Sequence, residues 1–319
     1  MRGFDNKFKD FPDYIIGITK EIWEDRGLGE RMEQYYAQDV IVRTPITGVG
    51  IGEKPMTAAT MATLVEFPDR TLLGEDVIWS GTPEDGMLSS HRILSTATHL
   101  GDGFFGEASG RQIATYAMAD CYAKDNQISD EWLVRDNGAI VRGLGLDPKA
   151  WAREKIMAGK ATPFTPAIDI DGPYMGRGND NEWGATFSSH LSRIMQAEFS
   201  VIPSKWDRAA ALCYAGGIRG VGHNDADSFW LGLRSSFPSA TFKINHQIGR
   251  EDPMMPPRAA VRWSLDGTHD GWGTYGAPTG APVHIMGISH AEFGPWGLRR
   301  EYTILDETAI WMQIAQHEG

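Results

Sequence analysis

Apolar residues recur at helical spacing from Asp13 to Glu24, where Tyr14, Ile15, Ile18, Ile22 and Trp23 share one face and predict an amphipathic helix. A second short helix is expected over about Leu28 to Tyr36, ahead of a strand at Asp39–Val42, and a third between Pro55 and Leu64. Four strands follow at about 70–79, 87–98, 111–123 and 130–136. Helices first and strands afterwards predict an α+β fold, with helices packed on one face of a curved, mostly antiparallel sheet. The order then returns, with helices near 183–197 and 204–214 and strands near 240–249, 258–268, 282–293 and 299–306. Between the two sets, 160–182 is rich in Pro, Gly and Asp and reads as a connector, with helical residues around Lys149 to Met157 leading into it.

The recurrence is an internal repeat. Shifting the chain by 170 residues places Phe67-Pro68 on Phe237-Pro238, Thr98-His99 on Thr268-His269, and Gly101, Gly103, Gly106 and Gly110 on Gly271, Gly273, Gly276 and Gly280. Without gaps, 67–145 and 237–315 share 16 identities in 79 positions. Upstream, pairing Tyr36-Ala37 with Tyr214-Ala215 suggests an offset of 178 and a loss of eight residues from the second copy. Two copies are a duplication, not a solenoid. The expected domains are 1–150 and 183–319, joined by a connector at 151–182.

Composition narrows the function classes. The 319 residues carry 42 acidic and 30 basic side chains, a net charge of −12 that repels phosphate backbones and anionic lipid. Neither a nucleic-acid nor a membrane partner is expected. The N-terminus lacks a continuous apolar segment, and no run approaches the ~18 apolar residues of a spanning helix. Two cysteines, Cys121 and Cys213, cannot make a disulfide framework, so a reduced, cytoplasmic location is expected. Gly48–Lys54 lacks the spacing of a dinucleotide or Walker loop, and the nine histidines show no metal-site spacing. Neither a cofactor nor a metal is expected.

Three segments resemble a known family. The run DGTHDGWGTYGAPTGAPVHIMG at 266–287 is similar to the strand, loop and strand of SnoaL-like polyketide cyclases, members of the nuclear-transport-factor-2-like cone-shaped superfamily. ISDEWLVRDNGAIVRGLG at 128–145 resembles the closing strand and terminal helix, and EFPDRTLLGEDVIWSG at 66–81 the strand entry. The resemblance covers roughly 13–145 and 183–316. It implies two cones, each with a small-molecule cavity, packed through their sheets as an intrachain pseudo-dimer that leaves a further homodimer open. It does not fix the substrate, because the cone hosts isomerases, dehydratases, cyclases and non-catalytic binding proteins.

Strand parity selects the candidate chemistry. Trp132, Val134 and Asp136 share one side of their strand, as do Tyr302, Ile304 and Asp306. A carboxylate on an apolar face is expected to have a raised pKa, as a general acid or base requires. The other reading is that each Asp caps the helix that follows it. The resemblance implies an acid/base role for the Asp, with a partner on the preceding strand, where Asp120 aligns with His290. Counting from a turn near Asp125-Asn126 sets Asp120 opposite Glu131 and away from Asp136, unless a bulge intervenes. His99 and His269 either polarise a substrate oxygen or pin the glycine-rich loop behind them. Arg92 and Arg262 either bind an enolate oxygen or form structural ion pairs. Tyr116, Trp132, Trp263 and Tyr302 are candidate aromatic walls for a ligand.

The expected function is cofactor-independent acid/base catalysis, of cyclase or isomerase type, on a small hydrophobic or carbonyl-containing molecule. Asp306 would be the base, with His290 and His269 polarising or protonating oxygen. The alternative is a binding module without turnover. The second copy is expected to carry most activity, because His290 and Asp306 match the resembled pairing while the first copy offers two carboxylates, Asp120 and Asp136.

Overall fold

The computed structural model describes residues 1–174 and 178–319. The first half runs α1 (Phe11–Thr19), a π-helical turn (Lys20–Glu24), α2 (Glu30–Tyr35), β1 (Tyr36–Thr44), β2 (Gly48–Ile51), α3 (Glu53–Glu66), β3 (Thr71–Thr82), β4 (Gly86–Thr98), β5 (Gln112–Lys124), β6 (Gln127–Arg135) and α4 (Asn137–Gly143). After α5 (Pro148–Met157), the second half repeats it with α6 (Glu182–Met195), α7 (Val201–Lys205), β7 (Trp206–Tyr214), β8 (Ile218–Val221), α8 (Gly222–Ser236), β9 (Thr241–Arg250), β10 (Arg258–Thr268), β11 (Pro282–Gly294), β12 (Gly297–Leu305) and α9 (Glu307–Glu318). Each half builds one six-stranded sheet, in the orders β2-β1-β6-β5-β4-β3 and β8-β7-β12-β11-β10-β9. Only β1–β6 and β7–β12 pair in parallel. The α+β tandem fold expected from the sequence is therefore present.

Three expectations are corrected. The segment 204–214 is the strand β7, not a helix. Asp207, Arg208 and Ala209 reach outward while Trp206, Ala210, Leu212 and Tyr214 are buried, and the backbone is tied to β8 and β12. The offset is 170 here too, because the ladder pair Ile41↔Ile51 returns as Ala211↔Val221. Trp206 is thus the counterpart of Tyr36, and the second copy has lost no residues before Phe237. Finally, Asp120 lies opposite Trp132, and Cys121 opposite Glu131. Asp125 and Asn126 form the hairpin turn with positive φ, Lys124 pairs with Gln127, and an extra residue on β6 then shifts the ladder between Tyr122 and Ala123. This bulge moves Asp120 onto the face that holds Trp132 and Asp136.

Each sheet has two covered faces. One packs on the helices of its own half: Tyr14, Ile18, Tyr36, Ala119 and Cys121 in the first cone, and Phe187, Trp206, Trp230, Trp263 and Leu305 in the second. The other face packs on the other sheet through Tyr116, Met118 and Val134 against Cys213, Met286, Ile288 and Ile304. Each half thus covers the other's bare sheet face, so one chain does what a two-fold dimer does with two. Trp151 of α5 joins a further apolar cluster with Phe105, Ile140, Ala309 and Met312. Among the described residues no helix is long and apolar enough to cross a membrane.

Candidate functional site

The residues singled out by parity meet in the seam between the sheets. Arg262 donates from Nε to Asp120 Oδ2 at 3.2 Å and lies 4.0 Å from the Trp132 ring. Its counterpart Arg92 lies 3.5 Å from the Tyr302 ring, 3.3 Å from His290 Nδ1, and bonds Glu75 at 2.8 Å. His290 Nε2 meets Ser90 Oγ at 2.8 Å. Tyr116 donates to Glu75 at 3.0 Å. Every one of these reaches within or across the seam. Burial pushes His290 well below its usual pKa, with Arg92 adding to the effect, so the ring is neutral. Burial acts to raise the Asp120 carboxyl, but His246 and Arg262 outweigh it and hold it low. His246 also bonds the Tyr174 hydroxyl.

Asp136 and Asp306 are buried at the ends of β6 and β12, and both are N-caps. Asp136 accepts from Ala139 N at 3.1 Å and, across the seam, from Gly216 N at 2.8 Å and Gly217 N at 2.9 Å. Gly216 and Gly217 have φ of +81° and +74°, a conformation that aims successive amides at one anion. Burial nevertheless raises the Asp136 pKa. Asp306 accepts from Thr308 N at 3.0 Å, Thr308 Oγ1 at 2.6 Å and Asn137 Nδ2 at 2.5 Å. Burial, with the Asp136 charge adding to it, pushes its pKa up to about 6. His290 lies opposite Tyr302, so Asp306 and His290 share a face, as the resemblance implied and the turn count did not, but that face is the one packed on the other sheet.

The repeated histidines pin their loops. His99 Nε2 meets Glu66 Oε1 at 3.1 Å and Nδ1 meets Ser109 Oγ at 3.1 Å, while His269 Nδ1 meets Thr279 Oγ1 at 3.0 Å. Trp263 is fully buried in the second cone and donates to Ser289 Oγ at 2.9 Å.

The helix-facing sides of the two sheets differ more than their shared fold suggests. In the second cone Trp230 and Trp263 are fully buried, and Glu301 sits beneath them with both oxygens engaged. Trp206 Nε1 and Tyr214 OH donate to Oε2 at 2.8 and 2.9 Å, and Trp230 Nε1 and Thr303 Oγ1 to Oε1 at 3.0 and 2.9 Å. A buried carboxylate with four donors is a satisfied structural group. At the corresponding positions of the first cone stand Thr60, Ile93, Tyr36 and Glu131. Glu131 accepts only from Tyr36 OH, at Oε2 and 3.1 Å, so Oε1 has no partner among the described residues. Burial raises the Glu131 pKa. His91, on the same face, is pushed down to about 4 by burial and is neutral.

The fillers of the two cores differ: Thr60 and Ile93 stand at the positions of Trp230 and Trp263, Trp79 stands at the position of Gly249 and packs with Trp23 against the first core, and Arg70 and Arg135 replace Ala240 and Leu305. Arg135 is exposed although its strand is internal to the sheet, yet desolvation by surrounding protein lowers its pKa. A cavity of about 330 Å³ opens between α2 and α3; Met32 on its wall belongs to the first core and Leu28 packs against that core, while Glu131, Arg70 and Arg135 are not on its wall. Helix α3 buries only Thr60 and Glu66, leaving Met61 and Val65 exposed, whereas α8 buries Gly222, Ala226, Trp230, Leu233 and Ser236.

Sequence reasoning did not find Glu131, His91, Arg70 or Arg135. Glu131 was marked by its identity with Glu301 across the repeat. The arginines were marked by the opposite signal, a charged residue where the second copy has an apolar one.

No sequence-family model matches the chain, and no curated protein matches it. Solved structures similar to it include IdmH, named as a candidate polyketide cyclase from Streptomyces antibioticus, at 20% identity and a TM-score of 0.37, covering 43% of this chain and 100% of that one. Another is a candidate SnoaL-like polyketide cyclase from Jannaschia sp. CCS1, at 13% identity and a TM-score of 0.36, covering 43% of this chain and 96% of that one. AclR, named as a candidate hydroxylase from Streptomyces galilaeus, gives 17% identity and a TM-score of 0.36, covering 42% and 96%. Each covers less than half of this chain and nearly all of its own.

Proposed function

We propose that this tandem SnoaL-like chain performs cofactor-independent acid/base chemistry on a small carbonyl compound, and that its working site is the first cone. The observation that carries this reading is Glu131: a buried carboxylate of raised pKa with one oxygen held by Tyr36 and the other without a hydrogen bond among the described residues. A carboxyl whose pKa is raised is a stronger base than a free one, as removal of a proton next to a carbonyl asks. In that step the C–H electrons pass to the carbonyl oxygen as an enolate, and the proton moves to Glu131. Return of the proton at another carbon completes a double-bond shift; alternatively, the enolate carbon attacks a second carbonyl carbon, and Glu131 returns its proton to the alkoxide oxygen so formed to complete a ring closure. The seam carboxylates Asp136 and Asp306 join the two halves, and their acidity serves stability in this reading.

The test is deuterium uptake from D2O into a panel of aryl ketones and cyclic enones, followed by mass spectrometry. Exchange by the wild-type protein, reduced at least ~10²-fold in Glu131→Gln and retained in Asp306→Asn, is expected. Exchange lost in Asp306→Asn with Glu131→Gln active would return the chemistry to the seam. Saturable binding of the same compounds without exchange would identify a binding module.

A further inference from the structure

The two halves end differently at their hairpin turns. In the first half, the β3–β4 and β5–β6 turns lie side by side, and the chain's own leading residues cover them. Asp5 N donates to Asn126 Oδ1 at 3.0 Å and Tyr14 OH to the Asn126 carbonyl at 2.9 Å. Arg2 reaches Glu84 at 3.7 Å, and Phe4 and Phe8 are buried. The described leading residues of the second half go elsewhere: Tyr174, at the place of Phe4, is buried in the seam against His246. At the places of Asn126 and Glu84 stand Trp296 and Met254. Trp296 is 80% exposed, Met254 fully and the adjoining Met255 about half. Their turns are neighbours, because β10 pairs with β11 down to Arg258↔Glu292 and Phe293 N donates to the Pro257 carbonyl at 2.9 Å. Met254 also holds a φ of +65°, which an unbranched side chain seldom adopts outside functional sites.

The charge of this end has changed with its polarity. First-half residues 80–88 and 122–130 carry four acidic and one basic side chain; second-half residues 250–258 and 292–300 carry three acidic and four basic, all of the latter arginine. Trp, Met and Arg are the side chains that protein–protein interfaces favour. In a chain of formal charge −12, this is a face that two copies can bring together without net repulsion. It is also self-complementary. Glu251 and Asp252 lie on one turn and Arg299 and Arg300 beside the other, so a two-fold axis running between the turns sets each sign against its opposite. The bare sheet face is no alternative for a second copy, since the other half already fills it.

We infer that the β9–β10 and β11–β12 turns form a docking face for a second copy of this chain, giving an isologous dimer with Trp296, Met254 and Met255 at its centre. The inference stands whichever cone is the working site. The three side chains offer roughly 400–500 Å² per copy, so two copies with their polar rims bury about 1,000 Å², the lower end for a specific interface. The dimer is therefore weak and reversible.

The test is sedimentation equilibrium of the full chain. Over about 1–300 µM it should show a monomer–dimer equilibrium with a Kd of about 10–100 µM, as an interface of this size gives. Trp296→Asn copies the first half, and Met254→Asn places a residue that tolerates positive φ, so both should fold. Each should weaken the dimer at least about tenfold, as loss of a central anchor does. Trp272→Asp, which exchanges an exposed tryptophan at the other end of the sheet for its first-half counterpart Asp102, should leave the dimer unchanged. A chain that stays monomeric throughout, a dimer as tight in both Asn variants as in wild type, or an assembly that grows past two copies would overturn the inference. So would a monomer that binds phosphatidylcholine vesicles with a fluorescence blue shift lost in Trp296→Asn, since the face would then serve a lipid surface.

Discussion

The two cones descend from one sequence and keep the same strand order, offset and central glutamate, yet they solve opposite problems. In the second, Trp206, Trp230, Tyr214 and Thr303 occupy both oxygens of Glu301, and the indoles fill the space a ligand would need. In the first, Thr60 and Ile93 stand where the tryptophans would be, and Glu131 has a hydrogen bond at only one oxygen among the described residues. On the proposed reading, duplication separated stability from chemistry, with the second core's central glutamate fully engaged and the first one's left with an oxygen for a substrate.

The sharpest way to break this comparison is to exchange the glutamates for glutamine. Glu131→Gln is expected to reduce proton exchange by at least ~10²-fold with little loss of stability, because a glutamine oxygen still accepts from Tyr36. Glu301→Gln should leave exchange per folded molecule unchanged and cost about 2–4 kcal/mol in denaturant unfolding, since its amide would face donors. Equal kinetic effects from the two variants would show that the cones are not specialised.

A second contrast exchanges the fillers. Trp230→Ala should cost about 3–5 kcal/mol, as deleting a buried indole does. Thr60→Trp should cost under about 1 kcal/mol while removing ligand binding. A loss above about 3 kcal/mol for Thr60→Trp, measured by the same unfolding curves, would mean that the first cone is packed as tightly as the second.

The seam yields a smaller, pH-dependent effect. The Asp306 pKa is raised from the unfolded 3.8 to about 6. The native state therefore binds more protons than the unfolded chain between those values, and stability falls as pH rises through that window. The shift corresponds to at most about 3 kcal/mol. Denaturant unfolding from pH 4 to pH 7 should show a decline that is shallower in Asp306→Asn, since asparagine caps the helix without ionising. Asp136, raised by burial, contributes in the same direction. An unchanged pH slope in Asp306→Asn would rule out this assignment.

Much of this was legible in the chain. The repeat, the α+β order, the strand positions of β9 to β12 and the burial of Asp136 and Asp306 follow from periodicity, because a sheet buried on both faces leaves few choices for apolar residues. Asp followed by a helical run also states its capping role locally, and the structure shows that role at both sites. What periodicity cannot encode is which buried face meets helices and which meets the other copy, since both read as apolar alternation. That ambiguity placed Asp306, His290 and Arg92 at a ligand, where the structure places them at the seam.

The sequence by itself determined two cones, a charge that disfavours polyanions, and the set of residues on each strand face. Tertiary structure decided the rest through three physical facts. The bulge on β6 turns Asp120 towards Trp132, a one-residue shift that strand pairing alone can set. Covering each sheet with its twin converts the parity-selected carboxylates into links between halves. Different fillers converge on the two central glutamates, so Glu301 has four donors and Glu131 one, because packing depends on the side chains that converge in space and not on their order along the chain.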